Sequence, residues 1–423
     1  MNGIFSTVPL PEAAPTGRFD CGRGSEMLLF ENFTPDGFEA ECKKIASGGF
    51  SLFAENKVCG NVFRTYSGKI TVHVYFCASE NAMRIVADPY TDKFDTVPDL
   101  SRRTHQTTLW QFEVDHSLID CGMCYIVRCC DGSFFVVDSA HPYSVNDDIR
   151  LPEFLTALNG GKKPTVAGWF FSHGHSDHIG KFMDILEYHR NELDIETVYY
   201  NFVPTDHRDS HNWDESEKQM IYRFEALMDK CPDLRKVRLH SGQKFFVRNL
   251  EFTVLCTHED IHPNPLSDFN NSSLALMLCA EGGKVLLPGD CSAESDKVLV
   301  RRWGDFLKCD VVQMSHHGHS GTSPEFYRLA NAECALFPIT EIKFYEELPR
   351  QQANRTAIEL CKEYYIASNG TVKIDLPYVF GKTEVLPDET FEDFDGIFNL
   401  WTYTYTDEYK KKLYDEFVAR SKK

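Results

Sequence analysis

The segment KITVHVYFC, residues 69–77, alternates Ile70, Val72, Val74 and Phe76 with Thr71, His73, Tyr75 and Cys77. A period of two marks a strand whose faces differ, one apolar and one more polar. Similar short runs flank it: FSLFAEN from Phe50, NVFRTYS after Cys59-Gly60, and AMRIVAD after Asn81. Upstream, Thr34-Pro35 reads as an N-cap followed by a first-turn proline. Phe38, Cys42 and Ile45 then recur at helical spacing, and Gly48-Gly49 ends the helix. The first 20 residues are aperiodic and read as an arm or a poorly ordered segment. The expectation is an N-terminal α+β domain over 1–108, its role not legible. His73 lies on the polar face and reads as an ordinary surface residue.

From Trp110 the pattern changes to strands alternating with helices. A hairpin is expected over about 122–138 around Asp131-Gly132, with a helix near 149–158 stopped by Asn159-Gly160-Gly161. Strand 165–171, helix 179–191, strand 196–202 and helix 214–229 follow, then a run of strands over about 236–288. The remainder alternates helix 293–302, strand 310–315, helix 324–330, strand 333–338, helix 351–364 and strand 371–376. Strands this numerous, with helices to cover their outer faces, predict two packed sheets flanked by helices over 109–377. Residues 378–423 form an aromatic and acidic extension with a terminal helix, in which Trp401, Tyr403 and Tyr405 read as seals of a core or interface.

Composition narrows the class. The 423 residues are 42% hydrophobic and 25% charged, which suits a folded globular chain. Lys and Arg number 44 against 63 Asp and Glu, a net charge of −19, so an extended nucleic acid is a disfavoured partner. No run of about 18 apolar residues occurs, and the N-terminus lacks a charged segment leading into an apolar one. The expectation is a cytoplasmic protein with no membrane association. The 15 cysteines, an odd number scattered singly through strands and helices, fit a reducing compartment. The spacing Cys121-Gly-Met-Cys124 lacks a second paired set and reads as small strand residues.

Candidate chemistry concentrates in GWFFSHGHSDHIGKF, residues 168–182. An apolar strand runs into His173-Gly-His175-Ser-Asp177-His178, and side chains two apart on an extended backbone point the same way. His173 and His175 can therefore converge on one point, with Asp177 and His178 turned towards a second. Imidazole and carboxylate are ligands that Zn²⁺, Mn²⁺ and Fe²⁺ accept. Two further strands end the same way, one at Gly289-Asp290 and one at His316-His317-Gly318-His319. Ligands set at the ends of buried strands stand on a rigid sheet edge.

These motifs resemble the metallo-β-lactamase superfamily, through HxHxDH at 173–178 and over about 115–376. Within it the chain is most similar to the hydrolase domain of competence DNA-uptake proteins and to phosphorylcholine esterases. That likeness is carried by FFVVDSA at 134–140, NNSSLALML at 270–278, LLPGD at 286–290 and SHHGHSGTS at 315–323. The resemblance implies a four-layer αββα sandwich. It implies two divalent ions, Zn²⁺ first and Mn²⁺ or Fe²⁺ as alternatives. His173 and His175 would bind the first ion, Asp177, His178 and His317 the second, and Asp290 would bridge. His316 would face the substrate, and Asp138 would support the metal loop. The chain departs from the family where many members carry another histidine for the first ion. Here the strand TVYYNFVPTDHRDSH ends on Asn201, with His207 and His211 beyond it; His207 is the better replacement, or else water completes the site.

Two close cations make hydroxide available at neutral pH and stabilise charge on a substrate oxygen. Asp177 could orient the nucleophile and accept its proton, while His316 or His319 could donate to the transition state. The expectation is thus a hydrolase using a metal-bound hydroxide, phosphodiesterase-like, acting on a phosphodiester or small phosphorylated substrate. A small anionic substrate is compatible with an acidic protein because the ions set the local field. Lactone or thioester hydrolysis on the same site is the alternative. Iron redox chemistry and a non-catalytic binding module rank behind both, since His175 is present and the motif is kept together.

Overall fold

The computed structural model describes residues 3–89, 92–117, 119–204, 215–266 and 268–386. Among them are three sheets. The N-terminal one has the spatial order Gly17–Gly22, Ser25–Phe30, Ala82–Asp88, Thr71–Cys77, Asn61–Ser67, Ser51–Val58, paired antiparallel throughout. The helix Pro35–Ser47, whose first turn donates from Gly37 N to Thr34 Oγ1 at 3.0 Å, lies on its apolar face. Phe38, Cys42 and Ile45 meet Val72, Val74, Phe76 and Ile85 there. The first residues are not merely an arm. Phe5 and Val8 are buried in that same core, and Gly17–Gly22 is an edge strand.

The other two sheets form the sandwich. One runs Arg235–Arg238, Thr197–Tyr200, Thr165–Phe170, Phe134–Val137, Tyr125–Arg128, Thr108–Gln111, Val372–Asp375, Glu384–Val385, with Asp194–Ile195 beside Thr165–Phe170. The second runs Lys244–Val247, Leu250–Cys256, Ala275–Ala280, Gly283–Leu287, Val311–Gln313, Cys334–Phe337, Glu363–Ile366. Their central strands, such as Phe134–Val137 and Ala275–Ala280, are apolar at nearly every position because both faces are covered, whereas edge strands such as Arg235–Arg238 carry charge. Phe135, Val137 and Phe170 point inwards to meet Phe252, Leu276, Leu278 and Val285 of the facing sheet. Their neighbours Phe134, Val136, Trp169, Met277 and Leu286 point outwards under the helices. Asp147–Leu158, Ser176–Asp184 and Glu215–Lys230 cover one outer face; Ala293–Trp303, Pro324–Ala330, Glu341–Glu347 and Gln352–Leu360 cover the other. The result is the expected αββα order.

Three differences from the sequence reading have physical causes. The helix expected over 351–364 stops at Leu360, and Glu363–Ile366 instead pairs in parallel with Cys334–Phe337. The short apolar run in that segment cannot by itself tell strand from helix. Glu341–Glu347 is a helix capped by Thr340, which the sequence reading passed over. His73 is the third. It is 1% exposed, because the polar face of the N-terminal sheet is an interface with the sandwich. Its Nε2 lies 2.8 Å from Ser241 O and its Nδ1 3.0 Å from Thr65 Oγ1. Most of the aromatic extension, Trp401, Tyr403 and Tyr405 included, lies outside the described residues.

The docking of the two units is both polar and apolar. Arg302 donates to Asp260 at 2.7 Å and to Glu80 at 2.8 Å, and Tyr75 Oη donates to Asp260 at 2.9 Å. Beside them Phe63 stacks on Trp303 with planes 5° apart. Gly242 admits that stack: with φ at +73°, a Cβ there would fall 1.9 Å from the Phe63 ring.

Candidate metal centre

Three strand ends of the sandwich meet at the site. Thr165–Phe170 leads into Ser172 and His173, Gly283–Leu287 into Gly289 and Asp290, and Val311–Gln313 into Ser315–Gly318. The loops are tied to one another. The side-chain amide of Gln313 donates to Gly289 O at 2.9 Å and accepts from Gly289 N at 2.9 Å. Ser273 Oγ accepts from Asp290 N at 3.1 Å, and Ser315 Oγ donates to Cys291 O at 2.6 Å. His316 and His317 hold φ values of 50° and 56°, and Asp138 holds 56°. Left-handed backbone at non-glycine residues is costly and persists where the surroundings impose it, commonly at functional sites.

Asp177, His178, Asp290 and His317 each offer a ligand atom, and these atoms lie within 4.8 Å of one another. His178 Nε2 is 3.2 Å from Asp290 Oδ2 and 3.7 Å from Asp177 Oδ2. His317 Nε2 is 2.9 Å from Asp177 Oδ2 and 3.4 Å from Asp290 Oδ2. His173 Nε2 stands 4.0 Å from Asp290 Oδ2 and 2.9 Å from His175 Nδ1. The ring of Phe269 covers the histidine pair, its centroid 4.7 Å from that of His175.

Each ligand-bearing ring is oriented from behind. His178 Nδ1 donates to Asp138 Oδ2 at 2.8 Å, and Asp138 is itself held by Ser172 N and Oγ, each at 2.8 Å. His317 Nδ1 donates to Pro338 O at 2.9 Å. A carbonyl or carboxylate can only accept, so both rings carry the proton on Nδ1 when neutral and present a bare Nε2 to the cluster. Among the described residues those Nε2 atoms and Asp290 Oδ1 are buried without a well-aligned hydrogen bond, close as the carboxylates lie. Buried polar atoms left unpaired are costly unless something fills the gap, and bare imidazole nitrogens facing carboxylates are the donor set a divalent cation takes. The residues fit such an ion.

Electrostatics agree with the geometry. Burial would raise the carboxyl groups of Asp177 and Asp290, but the facing His178 and His317 outweigh it and hold both well below the usual carboxylate range; against burial, the same carboxylates raise both imidazoles, so each Nε2 carries a proton that a bound cation would replace. Burial pushes His316 down. Its Nε2 lies 3.2 Å from Asn270 Nδ2, while its Nδ1 is buried without a hydrogen-bond partner among the described residues. His316 thus stands beside the four-residue group, its ring centroid 6.3 Å from that of His317. His319 lies further out, with its Nδ1 3.6 Å from Glu347 Oε1. Asn201 is drawn into a separate buried network with Arg238, Glu259 and His258. His207 and His211 lie outside the described residues.

Several contributors escaped the sequence reading. Glu217 accepts from Ser176 N at 2.7 Å and from Ser176 Oγ at 2.8 Å, pinning the start of the helix that carries Asp177 and His178. Phe269 and Asn270 come from the loop before Ala275–Ala280; the NNSS run carries a resemblance, but nothing in it marks a residue as facing the site. Cys121, set aside as a strand residue, sits against Asp177, and burial with the charges of Asp177, Asp120 and Asp290 keeps its thiol protonated.

Residues 122–323 match the family model described as the metallo-beta-lactamase superfamily. ComE operon protein 3 of Bacillus subtilis (strain 168) is 25% identical over 256 residues, 59% of this chain and 29% of that protein. The chain therefore spans less than a third of that relative's length. Among solved structures, the metallo-beta-lactamase fold protein YhfI from Bacillus subtilis is 14% identical, with a TM-score of 0.40 over 62% of this chain and 97% of that one. A diphosphatase from the PhnP family is 13% identical, with a TM-score of 0.37 over 64% and 99%. No helix among the described residues is long and apolar enough to cross a membrane.

Proposed function

From the premise that residues 122–323 belong to the metallo-β-lactamase superfamily, we propose that this chain is a metal-dependent hydrolase of small phosphodiester or phosphorylated substrates. One observation carries the reading: four ligand atoms from Asp177, His178, Asp290 and His317 converge within 4.8 Å, with bare imidazole nitrogens facing carboxylates. A divalent cation in such a set supplies Lewis acidity, making water a nucleophile near neutral pH and polarising a substrate oxygen. The protein's own groups do the rest. Asp177 is part-exposed at the mouth of the cluster, where its carboxylate can orient an attacking water and accept a proton from it. Asp290 and His178 are fixed from behind, so the site needs little reorganisation as charge develops. His316, with a buried Nδ1 free to meet a substrate oxygen, suits the stabilisation of an oxyanion or leaving group.

The phosphoester preference rests on the likeness to the competence-protein and phosphorylcholine-esterase branch. A panel of phosphodiester, phosphomonoester, lactone and thioester substrates, run beside Asp290→Asn, tests both parts. Turnover of a phosphoester, lost in Asp290→Asn, is the expected result. Turnover confined to lactones or thioesters overturns the substrate class, and full activity in Asp290→Asn overturns the role of that carboxylate. We further propose that the protein works in the cytoplasm on a small anionic substrate.

A further inference from the structure

Asn270 is buried, and its side-chain Nδ2 lies 3.2 Å from His316 Nε2. The loop that carries it is tied down on both sides. Asp268 Oδ1 accepts from Asn270 N at 3.0 Å, and Asp268 Oδ2 accepts from Ser292 Oγ at 3.0 Å. Asn271 Oδ1 accepts from Glu294 N and Ser295 N, both at 3.0 Å, at the start of the helix Ala293–Trp303. Leu274 N donates to Ser172 O at 2.8 Å, just before His173. His316 is held through its own backbone. With φ at 50°, its N donates to Gly289 O at 3.2 Å and its carbonyl accepts from His319 N at 2.7 Å. The two side chains meet between loops that are each anchored elsewhere.

The contact has a direction. An amide nitrogen only donates, so the Nε2 that it meets must accept. A neutral imidazole carries one proton, and with Nε2 accepting, that proton sits on Nδ1. Asn270 Oδ1 is buried and makes no hydrogen bond among the described residues. Turning the amide over would put its N–H groups in that position, and buried donors left unpaired are rarer than unpaired acceptors. The neighbouring histidine is used the other way round. His317 spends its Nδ1 proton on Pro338 O and turns Nε2 to the cluster. His316 spends Nε2 on Asn270 and keeps Nδ1–H.

We propose that Asn270 is a positioning residue that holds His316 in the Nδ1–H form, so that this ring meets the substrate as a hydrogen-bond donor. The site then selects substrates that present an acceptor oxygen, such as a non-bridging oxygen of a phosphoryl group. This rests on the reading of His316 as the substrate-facing histidine of a hydrolase and deepens it.

Two measurements test the assignment. The first is a nitrogen–proton correlation spectrum of the full-length protein with isotope-labelled histidine, at about pH 8, above the ordinary histidine range. The His316 signals are identified by their loss from His316→Gln. A proton on Nδ1 is expected, and a proton on Nε2 overturns the proposal. The second is Asn270→Asp, whose carboxylate only accepts and so draws the proton to Nε2. On the phosphoester turned over by the wild type, its kcat should fall about 10²–10³-fold, the cost of one donor to a developing oxyanion, with KM within about threefold. In a His316→Ala background the same change should cost nothing more. An equal loss in both backgrounds makes Asn270 a merely structural residue and overturns the proposal. The wild-type spectrum decides even where a variant does not fold. It is read without substrate, so failure of the hydrolase reading in the substrate panel is distinguishable from failure of the Asn270 assignment.

Discussion

Asp138 does not face the ion-binding atoms, yet it decides how His178 presents itself, through the 2.8 Å bond to Nδ1. An asparagine there keeps the shape but loses the charge, so Asp138→Asn should weaken zinc affinity by about 10–100-fold, read by competition with a chelator. His316 gives the opposite signature. His316→Ala should lower turnover by about 10²–10⁴-fold while leaving zinc binding in place. Loss of metal together with activity would instead make His316 a ligand. At this scale the sequence was informative wherever ligands are close along the chain. His173, His175, Asp177 and His178 could be read from spacing alone, because strand and helix periods dictate where neighbours point. Which of His316 and His317 turns its ring to the cluster depends on the left-handed turn at both residues, which spacing does not reveal.

Elements fix the site through the turns that join them. Gly242 shows how little room some of these leave: an alanine there must adopt a positive φ and push into the Phe63 ring. Gly242→Ala should destabilise the protein by about 2–3 kcal/mol in denaturant unfolding, the sum of overpacking and backbone strain. An unchanged midpoint would mean that the Phe63–Trp303 stack gives way freely. The strands of the sandwich were legible because runs such as FFVV and ALMLCA are apolar at almost every position. The strand Glu363–Ile366 was not. Its four residues carry no period of their own, and only pairing with Cys334–Phe337 makes them a strand.

At the scale of the molecule, the interface between the N-terminal sheet and the sandwich is a buried charge network with a pH signature at each end. Burial opposes the charge on His240, but Glu259 and Asp88 overcome it and raise its pKa from 6.5 to about 9. Its stabilisation is therefore complete below about pH 6.5 and lost as pH rises through 9. Burial likewise opposes the charge on Glu80, while Arg302 and Arg84 hold its pKa down from 4.5 to about 2. Its contribution is present above pH 4.5 and lost as pH falls through 2. Each is worth about 3 kcal/mol by linkage. Thermal unfolding followed across pH should show Tm falling as pH rises through about 9, and His240→Gln should flatten that alkaline limb; an unaltered limb would mean that His240 does not stabilise the interface. The chain by itself determined the two-faced strands, the layered sandwich and the density of ligands at 173–178, because local period and residue chemistry suffice for each. Only tertiary structure decided that the polar face carrying His73 is an interface and that Asn201 is held by Arg238, which reaches Gly22 of the N-terminal sheet. Both depend on residues more than 35 positions apart meeting in space, which no local pattern encodes.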